Sequence, residues 1–230
     1  MRRAIIGLAA LCVLAALIGC SDEQPVLSRV YGRVIYELDP SDGSCAETLG
    51  VFLVASDPDG MEDLAAFYVI NDDAELFWKV DSDSWINASA EGEPWIGATS
   101  LVMPDETPLP AGEYRVVLQS VSGDTVESTL TIPERTASAL TAQYPTSSVE
   151  EGAIKVGNAP SDCEIWTYGK DGRYVSSFPL TGKAKQLSVP TVAGSSPGLA
   201  NGFTYRVYTW DEKGGYATLC GPYKSSDTAK

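Results

Sequence analysis

The sequence predicts an all-β protein built from two tandem β-sandwich domains that follow an N-terminal export segment. Three observations lead there. At 230 residues, the chain holds two domains of about 100 residues once the export segment is set aside. Short runs of β-branched and aromatic residues recur along it, and no long stretch carries a helical period. Glycine (21) and proline (14) are scattered between those runs as turn punctuation rather than gathered into repeats.

In the first half, strands are expected at Val30 to Leu38, at the buried run Val51 to Ala55, and at Phe67 to Ile70. Leu76 to Val80 follows across the turn Asn71-Asp72-Asp73. Ile96 to Met103, Tyr114 to Val121 and Thr125 to Ile132 complete the set, with one helical turn allowed at Met61 to Ala66. In the second half, strands are expected at Ala137 to Tyr144, Ala153 to Val156, Glu164 to Tyr168 and Tyr174 to Phe178. Lys185 to Val189, Phe203 to Trp210 and Tyr216 to Tyr223 follow. Lys170-Asp171-Gly172 and Lys213-Gly214-Gly215 mark hairpin turns.

The halves end alike. Gly112-Glu113-Tyr114-Arg115-Val116 leads through Ser122-Gly123-Asp124 to a last strand, and Gly202 to Val207, containing Tyr205, leads through Lys213-Gly214-Gly215 to another. This pattern resembles the tyrosine corner of immunoglobulin-like and fibronectin type III-like sandwiches, which implies structural roles for Tyr114 and Tyr205. The paired core cysteines and tryptophan of antibody domains are missing. The boundary falls near Pro133 to Arg135, giving an immunoglobulin-like domain over 27–133 and a fibronectin type III-like domain over 134–230.

The N-terminus reads as Met1-Arg2-Arg3, then an apolar run from Ala4 to Ile18, too short to span a bilayer with assurance. It closes on Leu17-Ile18-Gly19-Cys20, which resembles the lipobox of bacterial lipoproteins. The resemblance implies a signal peptide over 1–19, removal after Gly19, acylation of Cys20, and a lipidated tether over 20–26. Two or three acyl chains anchor stably where one is marginal. Ser21 after the cysteine resembles outer-membrane sorting more than inner-membrane retention. The competing readings are an uncleaved anchor helix and an ordinary secretory signal. Either way, export places Cys45, Cys163 and Cys220 where disulfides persist. Cys163 and Cys220 share a half and are the expected pair, leaving Cys45 free or open to another chain.

Charge separates the halves further. Residues 20–133 hold 22 acids and 4 bases, whereas residues 134–230 hold 9 acids and 10 bases. The acidic half disfavours nucleic acid and anionic lipid as partners. The chain has no histidine, which removes Ser-His-Asp and Cys-His catalysis and histidine-ligated zinc.

Three groups of side chains are candidates for a site. Asp57, Asp59 and Asp63 lie in the densest acidic loop and suit a calcium ion, though Asp-Pro and Asp-Gly are equally turn chemistry. Trp85 and Trp95 sit in polar surroundings and suit stacking on a sugar or anchoring a protein, against core packing or cover for a sheet edge. The aromatic residues around Trp166 and Trp210 suit strands with one aromatic-rich face. The expectation is a non-enzymatic binding or structural module at the cell envelope, contacting protein or glycan through its loops. The alternatives are a carbohydrate-binding accessory lipoprotein and a carboxylate-based hydrolase.

Overall fold

The computed structural model describes residues 23–226 apart from 91, 160–161, 182–184 and 201. Cys20, Ser21 and the export segment lie outside the described residues.

The chain is an all-β sandwich structure. The first half runs β1 (Val26–Leu38), β2 (Cys45–Ser56), a 3-10 turn (Met61–Asp63), β3 (Leu64–Asn71), β4 (Leu76–Asp81), β5 (Ile86–Ala90), β6 (Glu93–Leu101), β7 (Gly112–Ser120) and β8 (Thr125–Ile132). The second runs β9 (Thr146–Glu150), β10 (Ala153–Gly157), β11 (Cys163–Tyr168), β12 (Tyr174–Leu180), β13 (Gln186–Ser188), α1 (Val189–Ser195), β14 (Thr204–Asp211) and β15 (Tyr216–Lys224).

Alternation, broken once by a register shift between Leu64 and Ala66, writes the first core. On β3 the buried Leu64, Phe67 and Val69 face Val34, Val51 and Leu53 of the opposing sheet, and Tyr114, Val116 and Leu118 of β7 complete the layer. Tyr114 is fully buried, and its hydroxyl donates to the Pro110 carbonyl at 2.8 Å, the back-bond of a tyrosine corner. The second core gathers Ile154, Ile165, Leu180, Phe203 and Val207, with Val192 of α1 closing one end. Tyr205 is equally buried, but its hydroxyl meets that of Ser147 on β9 at 3.0 Å, across the sandwich rather than back along its own loop.

The two sandwiches are not beads on a string. Facing sheets β4-β3-β7-β8 and β13-β10-β9 are separate, but the remaining strands form one eight-stranded sheet in the order β12-β11-β14-β15-β1-β2-β6-β5. The join is the first described strand lying parallel to the last, from Val34 opposite Tyr216 to Leu38 opposite Cys220. Tyr36 packs on Tyr216 with ring centres 4.9 Å apart. On the other face of the seam, Arg206 pairs with Glu37 at 2.6 Å and Arg33 with Glu212 at 2.7 Å. The connecting segment is pinned as well: the Tyr36 hydroxyl donates to the Ala137 carbonyl at 2.5 Å, and the Arg135 guanidinium meets Glu47 at 3.1 Å.

Several local expectations are corrected. Ala137 to Tyr144 is not a strand; Ser138 and Thr141 bond each other and fold it into a turn, while its alanines pack on the first core. The strand that opens the second sandwich is β9, hidden by its serines. β5 is hidden in the same way by a polar sequence. The stretch from Val189 to Ser195 is helical, with Pro190 in its first turn.

Candidate binding cleft

Eight strands at about 4.8 Å spacing would hold the edges of a flat sheet roughly 34 Å apart. Here both ends of the long sheet line one cleft of about 480 Å³. One wall is the corner before β5, from Ser82 to Asn87; the other is the β11–β12 hairpin, with Tyr168, Gly172, Arg173 and Tyr174. The sheet therefore curls, and the face turned away from the two sandwich cores is concave.

That concave face carries a third apolar layer. Ile35, Trp166, Ala217 and Leu219 are buried there, with Tyr168, Tyr174, Tyr208 and Trp210 packed against them. Trp166 lies nearly parallel to Tyr208, centroids 4.6 Å apart. Tyr174 meets both Trp166 and Tyr168 edge-on, each at 6.1 Å and 80°. Burial raises the phenol pKa values of Tyr168, Tyr174 and Tyr208 above the usual range, as expected of hydroxyls partly withdrawn from water.

Local sequence explains how each wall is held. Across the hairpin, Gly172 takes φ +76°, a conformation suited to glycine. The Asp171 carboxylate accepts the Arg173 amide at 3.1 Å, so Tyr168 and Tyr174 end as a cross-strand pair. In the opposite wall, the Ser84 hydroxyl and amide both donate to the Asp81 carbonyl, at 2.9 and 3.0 Å. The Ser82 amide reaches the Ala65 carbonyl at 2.9 Å. Trp85 is half-buried, backed by the near-parallel ring of Phe67 at 6.4 Å. Among the described residues, the side chains of Asp83 and Asn87 make no hydrogen bond or ion pair, so their polar atoms are available.

Two other hollows are larger but less suited to a ligand. One, of about 930 Å³ beside the β14–β15 turn, is lined mainly by polar groups, several of them already hydrogen-bonded. There Asp211 accepts the Lys213 and Gly214 amides, and Thr209 bonds Thr218 at 2.6 Å. The other, of about 720 Å³, is a mostly apolar groove beneath exposed Leu140 and Val102.

The candidates from sequence fare unequally. Trp85 lines the cleft while its ring also packs against the first core. Trp95 does not line it: the Arg29 guanidinium covers its ring at 5.5 Å, and Arg29 is itself paired with Glu93. Asp57 is buried and uses one carboxylate oxygen to accept the Asp59 amide at 2.9 Å; Asp59 accepts the Glu23 amide at 3.0 Å. No group of three acidic or other metal-ligating side chains converges among the described residues, so Asp57, Asp59 and Asp63 do not form the calcium triad their spacing suggested.

Cys45, Cys163 and Cys220 are free thiols, so the pair expected between Cys163 and Cys220 is not formed. The register gives the reason. Cys163 lies opposite Thr209 on β14, which lies opposite Thr218 on β15. Two strand spacings, about 10 Å, exceed the roughly 7 Å limit for a disulfide. Burial raises the thiol pKa values of Cys163 and Cys220, which makes both poor nucleophiles. The residues that sequence reasoning missed as site members are Asp83, Asn87, Tyr168, Arg173 and Tyr174. The alternation of aromatic residues at 166 and 168, and at 208 and 210, was the available signal.

No protein-family model matches the chain, and no curated protein does. Among solved structures, dimeric latent PorU from Porphyromonas gingivalis is similar over 90% of this chain and 21% of its own, at 12% identity and a TM-score of 0.32. The BSP domain of a biofilm associated protein is similar over 89% of this chain and 30% of its own, at 11% identity and a TM-score of 0.28. The chain thus spans under a third of either structure.

Proposed function

We propose that this protein is a lipid-anchored, non-enzymatic binding module of the bacterial cell envelope that engages its partner in the cleft between the two ends of its long sheet. The observation that carries the reading is the meeting of Trp85 from one sandwich with Tyr168 and Tyr174 from the other around a single opening. Junctions between structural units are preferred places for ligands, and aromatic walls with a few polar groups are their usual lining. The titratable groups there do not match a carboxylate-based glycosidase. Asp83 is the one carboxylate lining the cleft among the described residues, whereas glycoside hydrolysis needs two facing each other. Anchoring rests on the lipobox ending at Cys20, with outer-membrane sorting favoured by Ser21.

Metabolic labelling with a palmitate analogue, followed by fractionation, tests the anchor: label and membrane association should both disappear in Cys20→Ser. Binding of the detergent-purified full-length protein to isolated envelope material tests the cleft, and Tyr174→Ala should weaken it at least tenfold. Unchanged binding in that variant would refute the assignment.

A further inference from the structure

Resting on the reading of this cleft as the binding surface, we propose that its ligand is a neutral polysaccharide, held by stacking of pyranose rings on Trp85, Tyr168 and Tyr174. A pyranose ring offers a flat patch of C–H groups and a rim of hydroxyls. It is therefore recognised by aromatic rings together with polar side chains that both donate and accept. The cleft supplies both kinds. Its aromatic groups are fixed before any ligand arrives: Phe67 backs Trp85, and Tyr174 is wedged edge-on between Trp166 and Tyr168. Such fixing lowers the ordering cost of binding.

Its polar rim combines the carboxylate of Asp83, the amide of Asn87, the guanidinium of Arg173 and the hydroxyls of Ser82 and Ser84. These are the groups that bracket vicinal hydroxyls, with the amide acting as both donor and acceptor. Apart from the Ser84 hydroxyl, which donates to the Asp81 carbonyl at 2.9 Å, the rim is only loosely committed elsewhere. Arg173 is highly exposed and approaches Asp171 no closer than 3.9 Å, and the Asp83 and Asn87 side chains have no partner among the described residues. The volume of about 480 Å³ lies inside the usual range for a small-molecule site.

Charge argues for a neutral chain. One wall belongs to the half with 22 acids against 4 bases, and the field of such a surface repels a polyanion. Arg173 is the single cation lining the cleft among the described residues, too little to reverse that field. An apolar peptide would need a continuous hydrophobic trough, but the lining alternates rings with serine, asparagine and charged groups.

The test is affinity electrophoresis of the full-length protein in detergent, through gels holding soluble 1,4-linked xylan, glucomannan or mannan, whose residues carry vicinal 2,3-diols. The proposal expects retardation by at least one gel and none after periodate cleaves the vicinal diols of that polysaccharide. Tyr174→Ala and the exposed-rim variant Asn87→Ala should each reduce retardation at least tenfold. Asn87→Ala should keep the parent melting temperature, so that lost binding there cannot be ascribed to misfolding. Retardation only by an anionic polysaccharide would overturn the proposal. So would binding to envelope material that survives periodate but is destroyed by protease, an outcome that leaves the binding-module reading standing with a protein partner. Absence of binding to both polysaccharides and envelope material would remove both readings.

Discussion

Replacing Leu219 by alanine probes whether the two sandwiches unfold as one body. Leu219 lies in β15, 2% exposed, between Glu37 of β1 and Tyr208 of β14. It packs in the concave layer with Ile35, Trp166 and Ala217. Truncating a fully buried leucine costs about 2–5 kcal/mol through lost transfer free energy and the cavity left behind. With a urea dependence of about 2 kcal/mol per molar, a cost near 3 kcal/mol moves the midpoint down by roughly 1.5 M. Because β15 is hydrogen-bonded to β1, that loss should be felt by both halves. A single urea transition is expected, shifted as a whole. Amide exchange should show equal loss of protection in β3 and β7 of the first sandwich and in β10 and β11 of the second. The assay is urea unfolding by tryptophan fluorescence with hydrogen exchange at intermediate urea. A biphasic curve, in which only residues 146–224 lose protection while β3 and β7 keep theirs, would refute the reasoning and make the sandwiches independent.

Three further outcomes are expected. A Cβ added at Gly97 would sit 2.5 Å from the Val51 carbonyl oxygen and 2.4 Å from the Phe52 ring, so Gly97→Ala should destabilise by about 1–3 kcal/mol through overpacking, measured by the urea midpoint. On the alkaline side, Tyr168, Tyr174 and Tyr208 have phenol pKa values raised by burial. Their contribution is complete below the unfolded value near 10 and is lost as pH rises beyond it. On the acid side, Asp72 and Glu150 are held low by hydrogen bonds from Arg115 and Lys155. The small stability they add is present above about pH 4 and fades as pH falls through their lowered values. With no histidine in the chain, the melting temperature should be flat from about pH 5 to 9 and fall on both sides, and a step near pH 6.5 would contradict this. Calcium at millimolar concentration should leave the melting temperature unchanged, since Asp57, Asp59 and Asp63 do not converge; a rise abolished by Asp59→Ala would reverse that conclusion.

Much of the fold was legible because burial on one face imposes a period of two. Phe67 to Ile70, Leu76 to Val80 and Thr125 to Ile132 each fall on an observed strand for that reason, as does Tyr114 to Val121 but for its last residue. β5 and β9 escaped notice because Asn87, Ser89, Thr146, Ser147 and Ser148 carry little apolar contrast; pairing with β6 and β10 makes them strands. The segment from Ala137 to Tyr144 misled for the opposite reason, its alternating alanines serving a packed connection. Of the candidate site, Trp85 was legible as an aromatic residue in polar surroundings. Tyr168 and Tyr174 were visible only as members of an aromatic face.

By itself the sequence determined the all-β class, two sandwich cores and the buried tyrosine of the first corner. Those features depend on alternation and on turn chemistry within a few residues. Tertiary structure alone decided that β1 and β15 would lie side by side and that the resulting eight-stranded sheet would curl. It also decided that Trp85 and Tyr174 would share one cleft while Trp95 was left beneath Arg29. The physical reason is that strand partners are chosen through hydrogen bonds whose donors and acceptors every residue carries alike. Local sequence can therefore show which segments are strands, but which strand lies beside which is settled only when the whole chain has packed.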